Sequence, residues 1–125
     1  MFLFLSLFLN YELLANSDFS SIVIKSCYDG DTCTAVDGEK IRLACIDTSE
    51  LRGKNSDLEK GIEARDFLNK LVANKEISIK RISRDRYGRT VAELFKDGVN
   101  IQELIVNEGY GKIYKKYSYQ CEWSK

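Results

Sequence analysis

Apolar residues along this chain follow two periods, and the switches between them mark out the elements. From Ser21 to Asp47 the pattern is strand-like. Ile22-Val23-Ile24 leads into a turn at Tyr28-Asp29-Gly30-Asp31, and Thr32 to Val36 follows. A second turn falls at Asp37-Gly38, after which Lys40 to Asp47 sets Ile41, Leu43 and Cys45 on one face. Asp-Gly between β-formers is a strong hairpin signal, and its double occurrence predicts a three-stranded meander. From Glu59 to Asn74 the period becomes helical, with Ala64, Phe67, Leu68, Leu71 and Val72 at i, i+3, i+4, i+7 and i+8. Alternation returns over Lys75 to Ile82 and over Arg89 to Phe95, with a turn around Tyr87-Gly88 between them. Asp97-Gly98 makes a further corner. Asn100 then opens a short helix, with Glu103 three positions on as a capping box and Gly109 as its stop.

Three strands, a helix, two strands and a short second helix predict a mostly β protein with helices (α+β). The arrangement is a five-stranded OB-type Greek-key barrel with its first helix inserted after strand 3, an architecture that often binds oligonucleotides. At 125 residues one domain is expected, and the reading assigns it to residues 18–125. Residues 1–17 are read as a leader. Met1 to Leu9 holds one serine among eight apolar residues, too short to span a bilayer, which takes roughly 20. The run matches the apolar core of a secretory signal, with a small-residue stretch at Ala15-Asn16-Ser17, although no Lys or Arg precedes Lys25. Secretion or a periplasmic location, without a stable membrane span, is the expectation.

Composition narrows the chemistry. The 19 basic and 19 acidic side chains cancel, so a nucleic-acid partner would need local basic clustering rather than bulk attraction. With no histidine, the usual neutral-pH acid/base and the commonest nitrogen ligand of zinc are both missing. Four cysteines, none in C-x-x-C spacing, argue against a zinc ribbon and, behind an export-like leader, for up to two disulfides. Cys27 and Cys33 can bridge across a hairpin turn, and Cys45 with Cys121 would tie the C-terminal tail to a central strand. Three connectivities remain open.

Polar residues gather at three places: Asp29-Gly30-Asp31-Thr32; Arg42 through Glu50, reading RLACIDTSE; and Asp85-Arg86-Tyr87-Gly88-Arg89. Taken singly, each is an ordinary turn or strand exit. Together, in this order, they resemble the staphylococcal nuclease family over roughly Ser20 to Tyr117. The resemblance implies hydrolysis of phosphodiester bonds in DNA and RNA, calcium dependence and 3′-phosphorylated products. It implies Asp31, Asp47 and the Thr48 backbone carbonyl as metal ligands, a hard oxygen set suited to Ca²⁺. It assigns Glu50 as general base and Arg42 with Arg89 as the grip on the scissile phosphate, a task that suits the planar, permanently charged guanidinium.

Tyr87, Arg86, Lys115 and Tyr117 are the implied substrate contacts. Tyr110, Tyr114, Tyr117 and Tyr119 interleave with Lys112, Lys115 and Lys116, a pattern that suits stacking on single-stranded bases. A monomer acting on single strands is expected. Three departures stand out. Ser49 occupies the place of a common family proline, and Lys115 aligns with a family tyrosine. Only eight residues follow Tyr117, where the family usually adds a long helix, so a truncated C-terminus is expected. The rival reading is a non-catalytic OB-fold module that binds single strands. Such a module would be expected to lack one or more of Asp31, Arg42, Asp47, Glu50 and Arg89, and all five are present.

Overall fold

A computed structural model describes residues 18–53 and 57–125; the expected leader, residues 1–17, lies outside the described residues. The elements run β1 (Phe19–Asp29), β2 (Thr32–Ala35), β3 (Lys40–Leu43), β4 (Ile46–Asp47), α1 (Leu58–Val72), β5 (Glu76–Arg84) and β6 (Thr90–Lys96). They continue with β7 (Val99–Asn100), α2 (Ile101–Asn107) and β8 (Lys112–Ile113), and end in two 3-10 turns, Lys115–Gln120 and Glu122–Ser124.

The main sheet runs β3-β2-β1-β5-β6-β7, and β3 pairs again with β6. That second pairing closes β1, β2, β3, β5 and β6 into the five-stranded barrel the sequence predicts, with α1 after β3. The long first strand serves two neighbours: Val23 and the residues before it pair with β5, and Ile24 onward pairs with β2. Every junction is antiparallel except β3–β6, whose parallel register sets Ile41 opposite Thr90 and Arg42 opposite Val91. Glu39, just ahead of β3, clamps this closure. Its carboxylate accepts from Arg81 Nε and Nη2 at 2.9 and 2.7 Å and from Thr90 Oγ1 at 2.8 Å, so one side chain ties β3 to both β5 and β6.

The barrel interior is filled by Ile24, Ile41, Leu43, Ile77, Ile79 and Leu94, each at most 1% exposed, and burying each such side chain contributes about 1.5–3 kcal/mol. Helix α1 closes one end with Leu68 and Val72, while Phe67 and Leu71 pack at its margin. The same helix is pinned by Asn69, whose side-chain amide pairs with both backbone groups of Cys27 at 2.8 and 2.9 Å. Gln102 of α2, fully buried, does the same for Leu94 at 2.9 and 3.0 Å. Asn100 caps α2 by accepting from the Glu103 N–H at 3.0 Å. Gly109 ends it at φ 82°, in the left-handed region where glycine is unstrained, with Gly109 and Tyr110 N–H closing on Val106 and Ile105 carbonyls.

Four details differ from the sequence reading. β1 continues through Tyr28 and Asp29, so the first turn is tighter than expected. The strand expected over Lys40 to Asp47 breaks after Leu43: Cys45 adopts φ 70°, the chain turns, and only Ile46–Asp47 resumes as β4. Cys45 therefore leaves the face shared by Ile41 and Leu43 and joins a small cluster with Ala44 and Cys121. Helix α1 stops at Val72 rather than Asn74. Three two-residue strands, β4, β7 and β8, join the five expected.

Both expected disulfides form, Cys27–Cys33 and Cys45–Cys121. The second spans 76 residues, a loop whose closure in the unfolded chain is worth about 4–5 kcal/mol. It fixes the 3-10 turns to the β3–β4 corner, and Trp123 packs beside it while donating from Nε1 to Glu93 at 3.2 Å. The C-terminal segment is thus covalently held to the barrel.

The Glu39 clamp gives a pH signature. Hydrogen bonding from Arg81 holds the Glu39 carboxyl below its usual range, with Thr90 and the nearby Arg84 adding to the effect. A lowered carboxylate pKa contributes stability above the unfolded value and loses it as pH falls through the folded one. Glu39→Gln is expected to cost about 1 kcal/mol near neutrality, the upper range for a partly exposed pair. Urea denaturation across pH 3–7 should show that difference shrinking below pH about 4.5. A difference independent of pH would contradict the clamp.

Candidate active site

The parallel β3–β6 register does most of the positioning. Arg42 lies opposite Val91, and Arg89 is two residues before Val91. Arg89 stands one residue before β6, in the β5–β6 turn, so closure of the barrel brings it to the part of β3 that carries Arg42. Both line a cleft of about 750 Å³ together with Asp31, Asp47 and Glu50. The five side chains proposed from the sequence therefore meet at one concave surface, from β1–β2, β3, β4 and the β5–β6 turn.

Asp31 is the most constrained of them, at 6% exposure. Its Oδ2 accepts from the Thr48 N–H at 3.1 Å and the Thr48 hydroxyl at 3.2 Å, and lies 3.4 Å from Arg42 Nη2. The same Nη2 is 3.9 Å from Asp47 Oδ1, and Arg42 Nη1 donates to the Leu43 carbonyl at 2.7 Å. Arg42 therefore sits between the two carboxylates. Thr48 contributes by positioning Asp31 with its N–H and hydroxyl.

The acidic turn approaches so closely because of Gly30. A Cβ there would lie 2.7 Å from both Ala64 Cβ of α1 and Thr48 Oγ1, so only glycine lets the turn dock on helix and loop together. Asp29, beside it, accepts the Asp31 N–H at 3.0 Å and also lines the cleft. Burial and the neighbouring Asp31 charge push its carboxyl up to about 6. It was not among the residues singled out from the sequence, because in an Asp-Gly-Asp turn either aspartate can be the one that faces inward.

On the opposite wall, Asp85 organises the β5–β6 turn. It accepts from the Tyr87 N–H at 2.9 Å, the Arg89 N–H at 3.0 Å and Arg89 Nε at 2.7 Å. Burial works to raise its pKa, but these hydrogen bonds from Arg89 and Tyr87 outweigh it and hold the carboxyl below the usual range. The bond uses Nε, and among the described residues no hydrogen bond engages Arg89's terminal nitrogens. Asp85 is a positioning residue that the sequence reading treated only as part of a turn; its signal was the first place of the tight turn ahead of Gly88.

Tyr87 stands 67% exposed at the rim. Arg86 lies over its ring at 4.9 Å, Arg89 at 5.4 Å, and Arg86 Nη2 donates to its hydroxyl at 2.7 Å. Tyr114 and Tyr117 meet edge-to-face at 5.1 Å and line the far wall. Lys115 does not line the cleft; Lys116 does. The 3-10 turn beginning at Lys115 rotates successive side chains by about a third of a turn each, so neighbouring lysines point in different directions. Tyr110 stacks on Phe67 at 4.3 Å and Tyr119 points elsewhere, so neither lines the cleft.

A closed OB-type barrel whose cleft joins two guanidiniums to acidic oxygen donors has the layout of a nuclease domain. Comparison with known proteins gives the family. The family model described as staphylococcal nuclease homologue matches residues 40–125, and the chain belongs to that family. It is 35% identical over 94 residues to a protein of Escherichia coli O157:H7 named an uncharacterized endonuclease, covering 72% of this chain and 58% of that one. It is also 34% identical over 86 residues to the staphylococcal-like nuclease CAN1 of Arabidopsis thaliana, covering 69% and 25%. The chain thus spans little more than half of the first relative's length and about a quarter of the second's.

The Gly30 contact can be tested. Gly30→Ala should displace the turn from Thr48 and lower stability by about 1–3 kcal/mol, the usual cost of overpacking. Guanidinium denaturation measures it, and a variant as stable as the native protein would show that the turn does not rely on this approach.

Proposed function

We propose that this chain hydrolyses phosphodiester bonds of DNA and RNA, with Ca²⁺ as cofactor and single strands preferred, and leaves 3′-phosphorylated products. The observation that carries this reading is the convergence of Arg42, Arg89, Asp31, Asp47 and Glu50 on one cleft. The endonuclease and nuclease names of the relatives point the same way.

Arg42 and Arg89 would hold the non-bridging oxygens of the scissile phosphate. Because charge builds on those oxygens in the transition state, the pair contributes more to turnover than to ground-state affinity. Glu50, exposed at the cleft margin, would orient and deprotonate the attacking water. In a chain without histidine a carboxylate is the natural base. Tyr87 and Tyr117 would stack on the bases beside the broken bond, while Arg86 supports Tyr87.

The donor chemistry of the cleft suits a hard divalent cation: Asp31, Asp47 and Glu50 bring carboxylate oxygens to one cleft in a chain without imidazole. Among the described residues no group of three or more acidic, His or Cys side chains forms a ready-made cage. Asp31, Asp47 and the Thr48 carbonyl would therefore be the protein's whole share of ligands, with water and phosphate supplying the rest. When bound, the ion supplies Lewis-acid polarisation and a template for the phosphate. Two disulfides suit an oxidising compartment, in keeping with export as a monomer. Among the described residues no helix is long and apolar enough to cross a membrane.

Purified protein should degrade heat-denatured DNA with Ca²⁺ present and stop when a chelator is added. Glu50→Gln should lower kcat about 10²–10⁴-fold, the usual worth of a positioned base, with KM little changed. Undiminished turnover in that variant would remove Glu50 from the chemistry.

A further inference from the structure

Among the described residues, five cationic side chains line the cleft, and three of them are engaged by hydrogen bonds. Arg42 is held by Leu43 and the two aspartates, Arg89 by Asp85, and Arg86 by the Tyr87 hydroxyl. Arg84 and Lys116 are different. Neither side chain makes a hydrogen bond or ion pair among the described residues, and both residues are exposed. The Lys116 ammonium lies 5.5 Å from the Tyr117 ring centroid, and Arg84 acts on Glu39 only through its charge.

Arg84 is the last residue of β5, paired with Thr90 at the start of β6, and lines the cleft there. Lys116 arrives from another element, on the 3-10 turn that the Cys45–Cys121 bridge secures. Two cationic side chains without a hydrogen-bonded partner among the described residues thus line the same cleft, beside the tyrosines suited to bases. An uncompensated cation on a concave surface is a site for an anion, and in a polynucleotide each further phosphate is one more anion.

We propose that Arg84 and Lys116 hold phosphates beyond the scissile one, so that the cleft recognises a polynucleotide segment rather than a mononucleotide ester. This rests on the nuclease reading for the place of the scissile phosphate and deepens it by assigning specificity for strand length. Neither residue is needed to grip the reacting phosphate itself.

The test is fluorescence anisotropy of a labelled oligothymidylate of about twelve nucleotides, with chelator present, across a sodium chloride series. Each phosphate contact on a single strand contributes roughly 0.7 to the slope of log K against log salt. The double variant Arg84→Ser/Lys116→Ser should therefore bind with a slope shallower by about 1.4, and about 10–100-fold more weakly at low salt. With Ca²⁺, the ratio of kcat/KM for that oligomer over a thymidine dinucleotide should fall about tenfold in the same variant. An unchanged salt slope, or a native protein that does not bind the oligomer, overturns the proposal. Native protein that binds with the steeper slope yet cleaves nothing would strike the nuclease reading and leave the two phosphate contacts in place.

Discussion

The molecule depends on one strand pairing. β3 and β6 are far apart in sequence, separated by a helix and two strands, and their parallel pairing both closes the barrel and helps set the site. Closure brings Arg42 on β3 near Arg89, which stands one residue before β6 and is held there by Asp85. The Glu39 carboxylate, bonded to Arg81 and Thr90, holds that seam at its entry. A slip of one residue in the pairing would turn Arg42 to the other face, because strand side chains alternate.

Around this seam the remaining parts are brought in by close packing or covalent linkage. Gly30 allows the acidic turn to touch α1 and Thr48 at once, which buries Asp31 among donors from Thr32, Thr48 and Arg42. The left-handed Cys45 turns the chain out of β3, frees Asp47 to flank the cleft, and directs its sulfur to Cys121. That bond fastens the wall that carries Tyr117 and Lys116. Rigidity of this kind matters for catalysis: groups held in place before the substrate arrives need no reorganisation as charge develops.

Much of this was legible in the residues, for identifiable reasons. Asp-Gly turns, the helical stripe from Ala64 to Val72 and the Asn100/Gly109 caps are local signals, and local signals gave the element order. The five candidate residues were picked out because three short motifs occur in order, and they line one cleft. What stayed hidden depends on tertiary context. Nothing in the sequence marks Cys45 for φ 70°, since the residue is not a glycine and its conformation is supported by the disulfide and the surrounding cluster. Lys115 was named because it aligns with a family tyrosine, and the 3-10 geometry that puts its neighbour Lys116 at the cleft is not visible in the sequence. Asn69 and Gln102, which saturate strand backbone from helices, read in the sequence as ordinary polar positions.

The central claim is that barrel closure makes Arg42 and Arg89 act as one unit on a single phosphate. A double-mutant cycle tests this directly, using Arg42→Lys, Arg89→Lys and the double variant, which keep the charge and remove the guanidinium fork. Initial rates of cleavage of a short single-stranded oligonucleotide in saturating Ca²⁺ are the readout. Two groups gripping the same phosphate should be strongly coupled, so the double variant should lose far less than the product of the single losses. Losses that simply multiply would mean that the two arginines act on different atoms.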